Sequence, residues 1–136
     1  MAPFEIVEST ADVGVRVRAA DLETFFEDAA RGMFHIICDE LVEGWPATHE
    51  VALDAPDTAT LLVDWLSELL YLFEVKKFFF HKAVFQSVGE AGLRATVSGT
   101  AFRGVFAGTE IKAVTYHLLE VARGAGGYET TVYFDL

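Results

Sequence analysis

Only one cysteine, Cys38, occurs in the 136 residues. An intramolecular disulfide is therefore impossible, and a reducing cytoplasm is the setting to expect. A structural zinc site needs about four ligands. His35 and Cys38 lie one helical turn apart, but there is no second cysteine, so Cys38 reads as a small core residue on a helix. Basic residues are scarce too: ten Lys and Arg against 21 Asp and Glu give a formal net charge of −11. Polyphosphate repels such a surface, so direct binding of RNA or DNA is not expected. No apolar run stays free of charge for the roughly 18 residues of a membrane span, so none is expected. Met1-Ala2-Pro3-Phe4-Glu5 has neither the basic start nor the apolar stretch of a secretory signal. Catalytic motifs are missing as well. No Lys-Ser/Thr pair follows Gly124, Gly126 and Gly127, and neither a Gly-x-Ser-x-Gly elbow nor a helical His-Glu-x-x-His occurs. Nothing reads as a nucleophile with its base, so a non-enzymatic role is expected.

What is abundant is apolar. Hydrophobic residues make up 52% of the chain and twelve are Phe, enough to fill the interior of one domain over residues 1–136. A chain of this size buries roughly two-thirds of its unfolded surface and needs no disulfide to do so. Phe4 to Glu8 reads as a short strand. Val13, Val15, Val17 and Ala19 alternate with Gly14, Arg16 and Arg18, the period of a half-buried strand. The two meet at Ser9-Thr10-Ala11-Asp12. Asp21 reads as a helix N-cap, followed by an apolar stripe through Leu22, Phe25, Phe26, Ala29, Ala30, Met33 and Ile37, ending near Cys38 or Asp39. Glu43-Gly44-Trp45-Pro46 breaks the chain, and His49 to Ala55 alternates again. Pro56-Asp57 opens a second helix that Lys76 and Lys77 close, where cations suit the negative helix end. Strands are then predicted over Phe78 to Val88, Leu93 to Phe102, Glu110 to Val121 and Tyr128 to Phe134. Gly89-Glu90-Ala91-Gly92 and Gly124-Ala125-Gly126-Gly127 read as hairpin connections. The order predicts an α+β sandwich, two helices packed on one face of a largely antiparallel sheet.

Few residues invite a chemical reading. Lys76-Lys77-Phe78-Phe79-Phe80-His81-Lys82 mixes basic and aromatic residues as single-strand binders do. On so acidic a chain it reads instead as a helix end and a buried strand. His81 reads as a hydrogen-bonded structural histidine. Asp12 and Asp135 stand apart. Asp12 ends a small polar run at a strand-to-strand turn, and Asp135 adjoins the α-carboxylate of Leu136. Oxygen-only donors at loop ends suit hard cations such as Ca²⁺ or Mg²⁺. The plain alternative is a turn residue and a solvated terminus.

A family resemblance adds to this reading. Glu8, then Thr10-Ala11-Asp12-Val13-Gly14, then Leu22-Glu23-Thr24-Phe25-Phe26, the helix segment Leu61 to Tyr71, the string Ile111-Lys112-Ala113-Val114-Thr115-Tyr116-His117 and the ending Tyr133-Phe134-Asp135-Leu136 resemble the archease family from about residue 4 to 136. Ser9 stands where the family has His, and Arg103 to Gly108 lacks the His often seen before the Lys motif. Serine keeps a polar oxygen but cannot act as an imidazole base. The resemblance implies an accessory protein that assists the GTP-dependent RNA-splicing ligase, the enzyme that joins RNA ends bearing a 2′,3′-cyclic phosphate or a 3′-phosphate. It implies that the protein promotes guanylylation of the ligase and restores its turnover. It further implies a divalent metal, Ca²⁺ with Mg²⁺ or Mn²⁺ as alternatives, on Asp12, Asp135 and Leu136, and a functional surface of Lys112, Thr115 and His117. Ideal strand alternation puts Lys112 on one face and Thr115 and His117 on the other. Two rival readings remain: a metal-dependent phosphohydrolase using Asp12 and Asp135, and a chaperone-like binding module.

Overall fold

Both predicted helices form, each opened by its aspartate, in a computed structural model that describes residues 3–8, 12–104 and 108–136. The Asp21 carboxylate accepts from the Thr24 N–H at 2.8 Å and starts α1 (Leu22–Ile37). The Asp57 carboxylate accepts from the Thr60 N–H at 2.7 Å and starts α2 (Thr58–Lys76). Each bond satisfies a backbone donor that has no partner inside its helix. Cys38 is the C-cap of α1, partly buried, with its Sγ 3.7 Å from the Glu40 carbonyl oxygen.

Eight strands occur among the described residues: β1 (Phe4–Glu8), β2 (Val13–Ala19), β3 (Trp45–Asp54), β4 (Phe78–Val88), β5 (Gly92–Ala101), β6 (Ala113–Val114), β7 (Ala122–Gly124) and β8 (Gly127–Asp135). The α+β expectation holds, with every pairing antiparallel, but the strands are divided between two sheets. One runs β1-β2-β8-β6, with β7 also pairing β8; the other runs β3-β5-β4. The chain leaves the first sheet at α1 and returns to it only after β5. Trp45 and Pro46, read from the sequence as a break, begin β3. That strand is an edge, where a proline's missing N–H leaves no ladder bond unmade. Both glycine-rich hairpins are present, Gly89 donating to the Gly92 carbonyl at 2.8 Å and Gly124 pairing Gly127.

A continuous apolar core joins the two sheets through the helices. Val15, Val17, Val132 and Phe134 of the first sheet and Phe80, Ala95 and Val97 of the second pack with Phe26, Phe34, Trp65 and Leu66. The Trp65 indole N–H donates to the Phe26 carbonyl at 2.9 Å, tying α2 to α1 inside this core. Left unpaired there, such a donor would cost about 1–3 kcal/mol. The basic-aromatic run is structural in this sense: Phe78, Phe79 and Phe80 are all buried. His81 falls at a bulge in β4 where the register with β5 shifts, and its Nε2 lies 2.8 Å from Thr100 Oγ1. The Glu27 carboxylate of α1 accepts from the Ala83 N–H at 2.7 Å just past the bulge.

The largest departure from the sequence reading lies between Glu110 and Val121. In place of one long strand, only Ala113–Val114 pairs as β6. A turn follows, closed by the Leu119 N–H donating to the Tyr116 carbonyl at 3.0 Å, with Leu118 at φ 53°. A left-handed leucine cannot continue a ladder, so alternation gives no rule for which way Lys112, Thr115 and His117 face.

Candidate functional site

Three strands bring the predicted site residues to one end of the five-stranded sheet. Val13 pairs with Phe134 across β2 and β8, and Val114 pairs with Phe134 from the other side. Asp12 precedes Val13 and Asp135 follows Phe134, so the same register carried one step further sets the two aspartates opposite each other; Asp135 itself pairs with Ala113. Neighbours at this position of an antiparallel ladder lie about 5 Å apart between Cα atoms. Residues as distant in sequence as 12 and 135 thus come to the same end of one sheet because Val13 and Phe134, both buried, seat their strands on the core. Asp12 is half-buried, while Asp135 and Leu136 are exposed. Ser9, Thr10 and Ala11, the rest of the first signature segment, lie outside the described residues, as do Val105, Phe106 and Ala107.

The segment from Lys112 to His117 runs along the far side of β8. The Lys112 N–H donates to the Asp135 carbonyl at 2.8 Å, and the Lys112 side chain is exposed. Thr115 is half-buried and held by hydrogen bonds to β8, its N–H and its hydroxyl both donating to the Tyr133 carbonyl at 3.0 Å. The His117 N–H donates to Thr115 Oγ1 at 3.2 Å, and the exposed His117 ring meets Tyr133 edge-on at 5.9 Å. Strand alternation puts Tyr133 on the face that Asp135 shares, opposite buried Val132 and Phe134. The sequence reading did not weigh Tyr133 as a site residue, although the period of two in β8 was the signal for it.

Two carboxylates side by side supply hard oxygen donors, and that donor chemistry fits Ca²⁺, Mg²⁺ or Mn²⁺ better than a soft metal. Among the described residues no group of three or more His, Cys, Asp or Glu is placed to hold an ion. A cation on Asp12 and Asp135 would therefore complete its shell with other oxygens, from backbone, chain terminus or water. The surface elsewhere is laced with exposed ion pairs, among them Arg16 with Glu5 at 3.2 Å and Arg18 with Glu129 at 2.9 Å. These pairs occupy arginines on the outer face of the same sheet. The bond and the charge of Glu129 raise the Arg18 guanidinium above its ordinary value and lower Glu129 in return. Among the described residues no helix is long and apolar enough to cross a membrane.

Comparison with known proteins agrees with this fold. A sequence profile of the Archease protein family matches residues 4–136. A protein archease from Methanosarcina mazei is 40% identical over 139 residues, covering 98% of this chain and 95% of that one. One from Methanothermobacter thermautotrophicus is 34% identical with both chains covered in full. A solution structure of a Methanobacterium thermoautotrophicum protein superposes with a TM-score of 0.71 at 33% identity over 100% of both chains. The crystal structure of a Thermotoga maritima archease, described as a possible chaperone, is similar in fold, with a TM-score of 0.59 at 22% identity over 97% of this chain and 96% of that one.

Proposed function

This chain belongs to the archease family, and from that premise we propose that it is a cytoplasmic, non-enzymatic accessory protein of the GTP-dependent RNA-splicing ligase. It promotes guanylylation of that enzyme and sustains its multiple turnover. The observation that carries the reading is the convergence of Asp12, Asp135 and the Lys112–His117 segment at one end of one sheet, on a chain of net charge −11. A site that handles GTP, metal ions and RNA phosphates is rich in cations, and an acidic prong complements it. Asp12 and Asp135, with an oxygen of Leu136, would hold the divalent cation, which relieves the repulsion between neighbouring carboxylates. Lys112, whose backbone N–H meets Asp135 and whose side chain is exposed, would offer a positive charge to a phosphate. By binding the guanylylation-ready conformation of the ligase more tightly than its other conformations, the protein raises that population without doing chemistry itself.

The test measures ligase–GMP adduct and joined RNA over many turnovers, with and without substoichiometric amounts of this protein. Stimulation of both rate and yield is expected, and no change in either removes the accessory role. A second reading takes its support from the Thermotoga relative, described as a possible chaperone. A chaperone-like module would suppress aggregation of unrelated proteins and leave the ligase unaffected. Hydrolysis of a generic phosphoester by the protein alone would mark a phosphohydrolase instead.

A further inference from the structure

Past Val114 the chain leaves the β6 ladder, yet β8 stays gripped. Thr115 donates twice to one acceptor, the Tyr133 carbonyl, from its N–H and from its hydroxyl, each at 3.0 Å. The same hydroxyl oxygen accepts from the His117 N–H at 3.2 Å, which fixes the start of the turn that follows. On the other side of Phe134 the Lys112 N–H holds the Asp135 carbonyl at 2.8 Å. Phe134 itself is fully buried. Asp135 therefore projects from a strand pinned at three successive residues.

A hydroxyl has one donor and two lone pairs. Two of these three capacities of Thr115 are used inside the protein, which leaves little to offer a partner. We infer that Thr115 is the positioning residue for the Asp12–Asp135 carboxylate pair: it locks the end of β8 to the 115–118 turn so that both carboxylates address one divalent cation. The inference rests on the role proposed above for that pair. Thr115 acts through the backbone of β8 and touches no ion. Groups that support a metal ligand from behind commonly contribute about 10–100-fold to affinity.

The test titrates Ca²⁺ into wild-type protein, Thr115→Val and Thr115→Ser by calorimetry, with a thermal midpoint for each. Valine keeps the approximate shape and removes both hydroxyl contacts; serine keeps them. Binding weakened about ten-fold or more in the valine variant, and near wild type in the serine variant, is expected. A folded Thr115→Val protein with wild-type affinity overturns the inference and leaves the carboxylate site standing. Equal weakening in both variants also overturns it, since the methyl and not the hydroxyl would then matter. Wild-type protein that binds neither Ca²⁺ nor Mn²⁺ removes the site and the inference together. A final measurement needs no variant. Because coupling is reciprocal, saturating Ca²⁺ should slow hydrogen exchange at the Thr115 and His117 amides of wild-type protein. Unchanged exchange there with Ca²⁺ bound overturns the inference even if Thr115→Val does not fold.

Discussion

The ring of Tyr133 lies against the backbone of Gly14 across the β2–β8 ladder, so close that a Cβ on residue 14 would sit 2.9 Å from Tyr133 Cδ1 and 2.8 Å from the Val132 carbonyl oxygen. Glycine is needed here for space, two residues from Asp12 on one strand and from Asp135 on the other. The Tyr133 ring can turn aside, but the Val132 carbonyl is backbone within a ladder. Gly14→Ala should destabilise the protein by the ~1–3 kcal/mol typical of overpacking, read from the urea midpoint. A loss no larger than the ±0.5 kcal/mol or so of an ordinary surface change would show that the strands part there without resistance.

Removing a carboxylate should separate the cation site from the fold. Asp12→Ala takes away one of the two oxygen donors and leaves the buried Val13 beside it in place, so circular dichroism should stay as in wild type while calorimetry shows cation binding lost. A folded variant that binds the cation as wild type does would place the ion elsewhere or nowhere.

Lys112 is exposed, and it is its backbone N–H, which alanine keeps, that holds Asp135. Lys112→Ala should therefore shift stability by no more than about ±0.5 kcal/mol while ligase stimulation falls. The plain alternative is a lysine whose stem packs on the sheet with its head in water. A variant that melts early and stimulates only in proportion to its folded fraction would establish that alternative.

Asp28 is a buried carboxylate on α1, with Arg31 Nη1 at 3.8 Å. Burial pushes its carboxyl above the ordinary value, against the attraction of Arg31, and Glu27 and Asp21 add to the rise. The folded state thus holds this proton more tightly than the unfolded chain, whose carboxyl titrates near about 3.9. Ionised Asp28 costs stability above its raised value, and the cost disappears as pH falls toward the unfolded one. Asp28→Asn should melt higher than wild type at neutral pH, with the advantage shrinking by about pH 4. A lower melting temperature at neutral pH would mean that the Arg31 pair outweighs the burial.

Much of the architecture could be read along the chain because it is decided locally. Asp21 and Asp57 cap helices through their own side chains, and Val13 to Ala19 declares a half-buried strand by its period of two. Gly124 to Gly127 makes a hairpin for want of side chains. The family segments were equally legible, since a matching string of residue types depends on no packing at all. The failure between Glu110 and Val121 has a definite cause. Its residues have strand propensity, but pairing ends at Val114 and the chain turns at Leu118, and propensity carries no information about where a partner strand stops.

The sequence by itself determined the helix starts, the apolar faces, the acidic charge and the residues of the carboxylate pair, because each is a property of a residue and its near neighbours. Only the tertiary structure decided that Asp12 and Asp135 come to the same end of one sheet, that Tyr133 rests on Gly14, and that Thr115 and Lys112 grip β8 from its far side. Those relations depend on the register of β2, β8 and β6, and that register is set by seating Val13, Phe134 and Val114 together on one core. A slip of one residue would turn every one of these side chains to the opposite face.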